Sequence, residues 1–117
     1  MKLLVAVIND PDKVVDILDG FLDIDVRGAT VLESSGMARI IADHVPFFTR
    51  FAEMGLENAG NSRTLFSLMY DESKLEQAIK VIDTALGGLE KPDSGLVFIL
   101  PVERCLGILN PGAGRDE

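Results

Sequence analysis

Cysteine is nearly missing from these 117 residues: Cys105 is the single one. No internal disulfide can form, and neither a cysteine-based metal cluster nor a redox pair has the residues it needs. That usage fits a reducing, cytoplasmic setting. Histidine is equally scarce. His44 stands beside Asp43 with no second histidine anywhere, and a lone loop histidine is more often structural than a metal ligand, so no metal is expected. Basic residues are outnumbered 11 to 19, for a formal net charge of −8. Nucleic-acid phosphates and anionic membranes both select a basic face, so neither is an expected partner. No apolar stretch reaches membrane-spanning length, and membrane insertion is not expected. Leu3 to Ile8 is too short for the core of a secretory leader and is followed by Asn9-Asp10-Pro11-Asp12 instead of small residues. No nucleophile stands with a base, so an enzyme is not expected.

What is present is well punctuated. Leu3 to Ile8 is apolar throughout, as in a strand buried on both faces. Asp10 can cap the next helix and Pro11 suits its first position, where a missing N–H costs nothing. Val14, Val15, Ile17, Leu18, Phe21 and Leu22 recur at helical spacing and predict its buried stripe. Val26 to Glu33 reads as a second strand, with Gly28 permitting a bulge or a close backbone approach. Thr64 to Tyr70 alternates like a third strand. A second helix then starts at Asp71 or Ser73, and Ser73-Lys74-Leu75-Glu76 has the spacing of a capping box. Leu75, Ala78, Ile79, Ile82, Ala85 and Leu86 form its stripe, and Gly87-Gly88 predicts a left-handed stop. Gly95 to Leu100 is the fourth strand, ended or bent by Pro101.

Strand, helix, strand, strand, helix, strand is the ferredoxin-like split βαβ order (βαββαβ) of the α+β class: one antiparallel sheet with both helices on one face. Residues 1–109 are read as a single domain with a loop insertion at 36–62 between the second and third strands, and 110–117 as a flexible tail. The sheet's other face is left bare. The first and third strands read as apolar on both sides, so a symmetric oligomer is the economical cover.

With this order in place, two motifs carry a family resemblance. Gly28-Ala29-Thr30-Val31-Leu32-Glu33-Ser34-Ser35-Gly36-Met37-Ala38-Arg39 resembles the second strand and loop start of the nitrogen regulatory PII family. Leu96-Val97-Phe98-Ile99-Leu100-Pro101-Val102-Glu103 resembles its last strand. The resemblance covers nearly the whole chain. It implies a signal-transduction protein: a homotrimer that binds an adenine nucleotide or another small anion in clefts between subunits and touches a target protein through its long loop. Thr30, Gly36 and Arg39 stand at the family's nucleotide-contacting or hinge positions. Other positions depart from it. Ile40 replaces the glutamine that helps ligate magnesium and 2-oxoglutarate, Leu96 replaces a phosphate-contacting lysine, and Gly107 and Leu109 stand at two late arginines. The loop also has no tyrosine at a modification position, since Tyr70 falls at a strand end.

Two further stretches are candidate sites. The turn Leu89 to Gly95 can offer backbone N–H groups and the Lys91 ammonium to an anion, which makes Lys91, Asp93, Ser94 and Gly95 ligand candidates beside the alternative of a plain connecting loop. Val45 to Gly55 reads as a short helix, with Pro46 at its first position and Gly55 past its end. Phe47, Phe48, Phe51 and Met54 form its apolar face, which suits packing within the protein's own trimer or docking on a partner. Asn58 to Ser62 reads as linker. Cys105, among apolar neighbours, is expected to be buried, and Glu103 is expected to hold backbone or an arginine near the subunit boundary. A ligand-free structural module built on the Phe-rich helix is the rival to the sensor. An acylphosphatase-like enzyme would need an anion-gripping arginine after the first strand, where this chain has Asn9-Asp10-Pro11-Asp12.

Overall fold

A computed structural model gives the fold and describes residues 1–37, 40, 62–92 and 94–107. The described elements run β1 (Lys2–Ile8), a 3-10 turn (Pro11–Lys13), α1 (Val14–Asp23), β2 (Thr30–Ser34), β3 (Ser62–Met69), α2 (Glu72–Ala85) and β4 (Gly95–Pro101). The sheet has the order β2-β3-β1-β4, and every neighbouring pair is antiparallel. This α+β arrangement, with two helices against the sheet, is compatible with a ferredoxin-like fold.

The helix starts arise from side-chain competition for orphan amides. The Asp10 carboxylate accepts from Asp12 N at 3.0 Å with Pro11 behind it, which winds the 3-10 turn leading into α1. The Asp71 carboxylate caps α2, accepting from Ser73 N at 2.9 Å and from Ser73 Oγ at 3.0 Å. Ser73 therefore lies inside the helix as a donor to the cap, so the capping box on Ser73 and Glu76 is not formed. Asp71 sits two residues earlier and takes the amide first. Gly87 and Gly88 end α2 at φ of 75° and 115°, with Gly88 N returning to Asp83 O at 2.8 Å, the left-handed stop anticipated from sequence.

The core lies between the helices and one sheet face. Leu4, Ala6, Ile8 and Leu65 meet Ile17 and Phe21 of α1 and Leu75, Ala78 and Ile82 of α2, all buried. α1 buries a narrower arc than its apolar residues suggested: Val15 and Leu22 are 64% and 62% exposed, because they sit on the flank turned from both the sheet and α2. Three local readings also change. β2 begins at Thr30, so Gly28 lies outside it, and a Cβ there would meet nothing within 4 Å. Its carbonyl instead accepts from buried Ser67 Oγ at 2.6 Å. Ser62 is a buried residue of β3, not linker. Cys105 is exposed, since β4 stops at Pro101 and none of the described elements packs over the residues beyond it.

Opposed residues of an antiparallel pair share a face. The register therefore puts Leu3, Val5 and Val7, Thr64, Phe66 and Leu68, Leu96, Phe98 and Leu100, and Thr30, Leu32 and Ser34 on the face away from the helices. Among the described residues no helix packs on it. Leu32, Leu96, Phe98 and Leu100 are exposed there.

Candidate functional site

The sheet fixes where the candidate ligand residues lie. Register pairs Gly95 with Ile8, Ile8 with Arg63 and Arg63 with Glu33. The end of β2 leading to Gly36 and the start of β4 at Gly95 thus lie at one end of the sheet but on its opposite edges. Three strand spacings separate them, about 14 Å. Thr30 is exposed on the β2 edge and Gly36 is exposed beyond it. Lys91, Ser94 and Gly95 cluster at the β4 edge. A single subunit does not bring the two groups together. Arg39 and Asp93 lie outside the described residues, as do Phe47, Phe48, Phe51, Met54, His44, Leu109 and the 110–117 tail.

The 89–95 turn is internally committed. Leu89 N donates to the Asp83 carboxylate at 2.7 Å, Lys91 N to Gly88 O at 3.2 Å, and Ser94 N to Lys91 O at 3.4 Å. Ser94 Oγ also donates to Lys91 O, at 3.0 Å. These three amides are used in holding the turn, and the exposed Lys91 side chain adds a positive charge there. That ammonium folds back over the end of α2, 3.1 Å from where a Gly87 Cβ would stand. A cation suits this place, where the helix dipole is negative. Gly95 is held tightly: a Cβ would approach Val7 O to 2.7 Å and Leu86 Cδ1 to 3.0 Å, so only glycine lets β4 lie this close to β1.

The corner where β2 and β3 meet the 36–62 connection carries a group that sequence reasoning missed. Ser34 Oγ and Ser62 Oγ are 2.7 Å apart, Thr64 Oγ1 donates to Ser34 Oγ at 2.9 Å, and Ser62 Oγ reaches Ser34 O at 3.3 Å. The proton count closes if Thr64 donates to Ser34, Ser34 to Ser62, and Ser62 to the Ser34 carbonyl. Each hydroxyl then uses its one hydrogen inside the group. This chain of hydroxyls ties the two strands together at the base of the connection. The signal was the spacing of Ser62 and Thr64 on one face of a strand opposite Ser34.

Family-divergent positions show apolar surface. Ile40 and Leu96 are 52% and 57% exposed, Leu96 on the bare sheet face. Glu103 and Arg104 are exposed, as is Gly107. Among the described residues no group of His, Cys, Asp and Glu is placed to hold a metal ion, and no helix is long and apolar enough to cross a membrane. The resolved electrostatic shift belongs to Asp71, whose carboxyl is held below its ordinary value by the Ser73 amide, then the Ser73 hydroxyl, against an opposing desolvation effect, with Lys74 adding a weaker attraction. It is a helix cap, remote from the candidate ligand residues. No family model and no curated protein matches this chain.

Proposed function

We propose that this chain is a PII-like regulatory protein on a ferredoxin-like fold. It assembles as a homotrimer and senses a small anionic metabolite or adenine nucleotide between subunits. It then acts on a target protein through the 36–62 connection, without catalysing a reaction. The observation that carries this reading is the pairing of a bare apolar sheet face with ligand candidates divided between the two sheet edges. A second copy covers the face, and the same contact lets the Thr30–Gly36 edge of one subunit approach the Lys91–Gly95 edge of its neighbour. Ligand binding across that boundary biases a loop that begins at Gly36, and the target reads the loop. Arg39 supplies charge on the loop side and Lys91 on the turn side. Ser94 and Gly95 shape the turn, Asp93 is a further ligand candidate beside them, and Phe47, Phe48, Phe51 and Met54 are the candidates for contact with the target.

A thermal-shift panel of ATP, ADP, AMP, cyclic dinucleotides, 2-oxoglutarate and bicarbonate tests the sensor. A ligand present at a hundred times its Kd stabilises by about 2.7 kcal/mol. The expected result is at least one hit that Arg39→Ala removes. A second reading, a ligand-free interaction module, is favoured by the internally bonded turn amides and by Leu96 in the place of a phosphate-binding lysine. Silence across the panel from a folded oligomer selects that reading.

A further inference from the structure

β2 is the most lightly held of the described strands. It is five residues long, lies on an outer edge of the sheet, and has no fully buried side chain. Val31 alone of its residues packs against the core cluster, whereas the opposite edge, β4, packs Val97 and Ile99 there along seven residues. Cross-strand charge does not hold it either. Glu33 opposes Arg63, but the guanidinium donates to Ser62 O at 3.2 Å, and among the described residues the one ion pair is Arg27 with Asp25.

What pins β2 is a hydroxyl clip at each end. Just before its start, Ser67 Oγ of β3 donates to Gly28 O at 2.6 Å. At its last residue, Thr64 Oγ1 donates to Ser34 Oγ at 2.9 Å, and Ser34 Oγ and Ser62 Oγ stand 2.7 Å apart. Ser62 and Ser67 are 3% and 2% exposed, so β3 buries two hydroxyls and spends both on holding its edge neighbour. Water can replace a hydroxyl bond at modest net cost, unlike the apolar burial that holds β1 and β3. Opening β2 gives up two clips, a short ladder and one valine, a smaller loss than unpacking either central strand.

We propose that β2 is a switch strand: it detaches from β3 as a unit while the other three strands and both helices stay folded, and the Ser67 and Ser34–Ser62–Thr64 clips set how often it does so. Elements that move in regulation are drawn from the low-stability end of a structure. Thr30 lies on this strand and Gly36 just beyond it, so its two states present that edge differently. For the regulator proposed above, β2 supplies the two-state element that a ligand at the Thr30–Gly36 edge biases. That coupling rests on the sensor reading, and the opening of the strand does not.

Native-state amide exchange on the full-length protein, read residue by residue across low urea concentrations, is the test. The protected amides of β2 are expected to exchange faster than those of β1 and α2, with a shallower urea dependence, because a local opening exposes little surface. Thr64→Val, which keeps the shape and removes the donor, and Ser67→Ala are each expected to speed β2 exchange about fivefold without urea, and Thr64→Ser is expected not to. A lock supplies the converse. Ser34 and Ser62 are directly opposed with their hydroxyls in contact, a placement that lets a cysteine pair bridge. In a Cys105→Ser background, the oxidised S34C/S62C protein is expected to slow β2 exchange about tenfold or more, and reduction to restore it. An identical urea dependence in β2 and β1, an oxidised pair that leaves β2 exchange unchanged, or exchange unmoved by both hydroxyl deletions would each overturn the proposal. Silence of the thermal-shift panel with these exchange results intact would remove the sensor and leave the switch strand standing.

Discussion

The two faces of this sheet are both apolar, yet they have opposite fates. On one, Leu4, Ala6 and Ile8 alternate toward α1 and α2 and are fully buried. On the other, Leu96, Phe98 and Leu100 stand exposed, and of its described apolar residues only Val5, at the centre of the sheet, is buried. Period-two alternation decides which residues share a face, and chain connectivity decides which face receives the helices. Among the described residues nothing covers the apolar side chains of the second face. The covered face carries the folding energy of the chain, and the assembly proposed above assigns association to the open face.

The largest expected effect comes from breaking the covered face. Phe21 is 1% exposed within the cluster, and Phe21→Ala should cost about 3–5 kcal/mol by denaturant titration. A loss as small as a surface substitution would mean that α1 does not pack on the sheet through this ring. Next comes the seam between the faces. Gly95→Ala drives a Cβ toward Val7 O, and because backbone cannot swing away as a side chain can, β4 must shift. The expected cost is about 1–3 kcal/mol. An unchanged denaturation midpoint would show that the β1–β4 approach is looser than the register indicates.

On the open face the expected change lies in assembly. Phe98→Ser removes an exposed ring, so subunit stability in dilute solution should change by no more than about 0.5 kcal/mol. The sedimentation profile should move toward smaller species. A large fall in stability with assembly intact would place Phe98 in the subunit's own core and remove the contrast between the faces. The smallest effect belongs to the α2 cap, outside both faces. The Asp71 carboxyl is lowered in the folded chain, so its stabilisation is complete above the ordinary carboxylate range and is lost as pH falls through the lowered value. Asp71→Ala should lower the melting midpoint at neutral pH, and the difference from the parent protein should shrink at acid pH. A gap independent of pH would contradict the cap.

Much of the covered face was legible because it rests on local rules. Leu75, Ala78 and Ile82 recur at helical spacing and are buried as that spacing requires, and Asp10-Pro11 and Gly87-Gly88 mark helix ends through backbone chemistry present in any context. What escaped depends on competition or on distance in sequence. Ser73 has the right spacing for a capping box, but Asp71 takes the amide. Val15 and Leu22 satisfy helical periodicity, which counts apolar residues without knowing how wide an arc the sheet can cover. The Ser34–Ser62–Thr64 hydroxyl chain joins residues 28 and 30 positions apart and needed the register. Division of the ligand candidates between opposite edges likewise needed strand order. Thr30 and Gly95 carry no sign in sequence of where their strands will lie.

The mass of the protein in solution tests the central contrast most directly. Light scattering on the eluting protein should give three times the 12.7 kDa chain mass, and Leu96→Lys with Phe98→Lys should give the single-chain mass with helical circular dichroism retained. A parent protein that elutes as one chain, with its open face in water, would contradict the account.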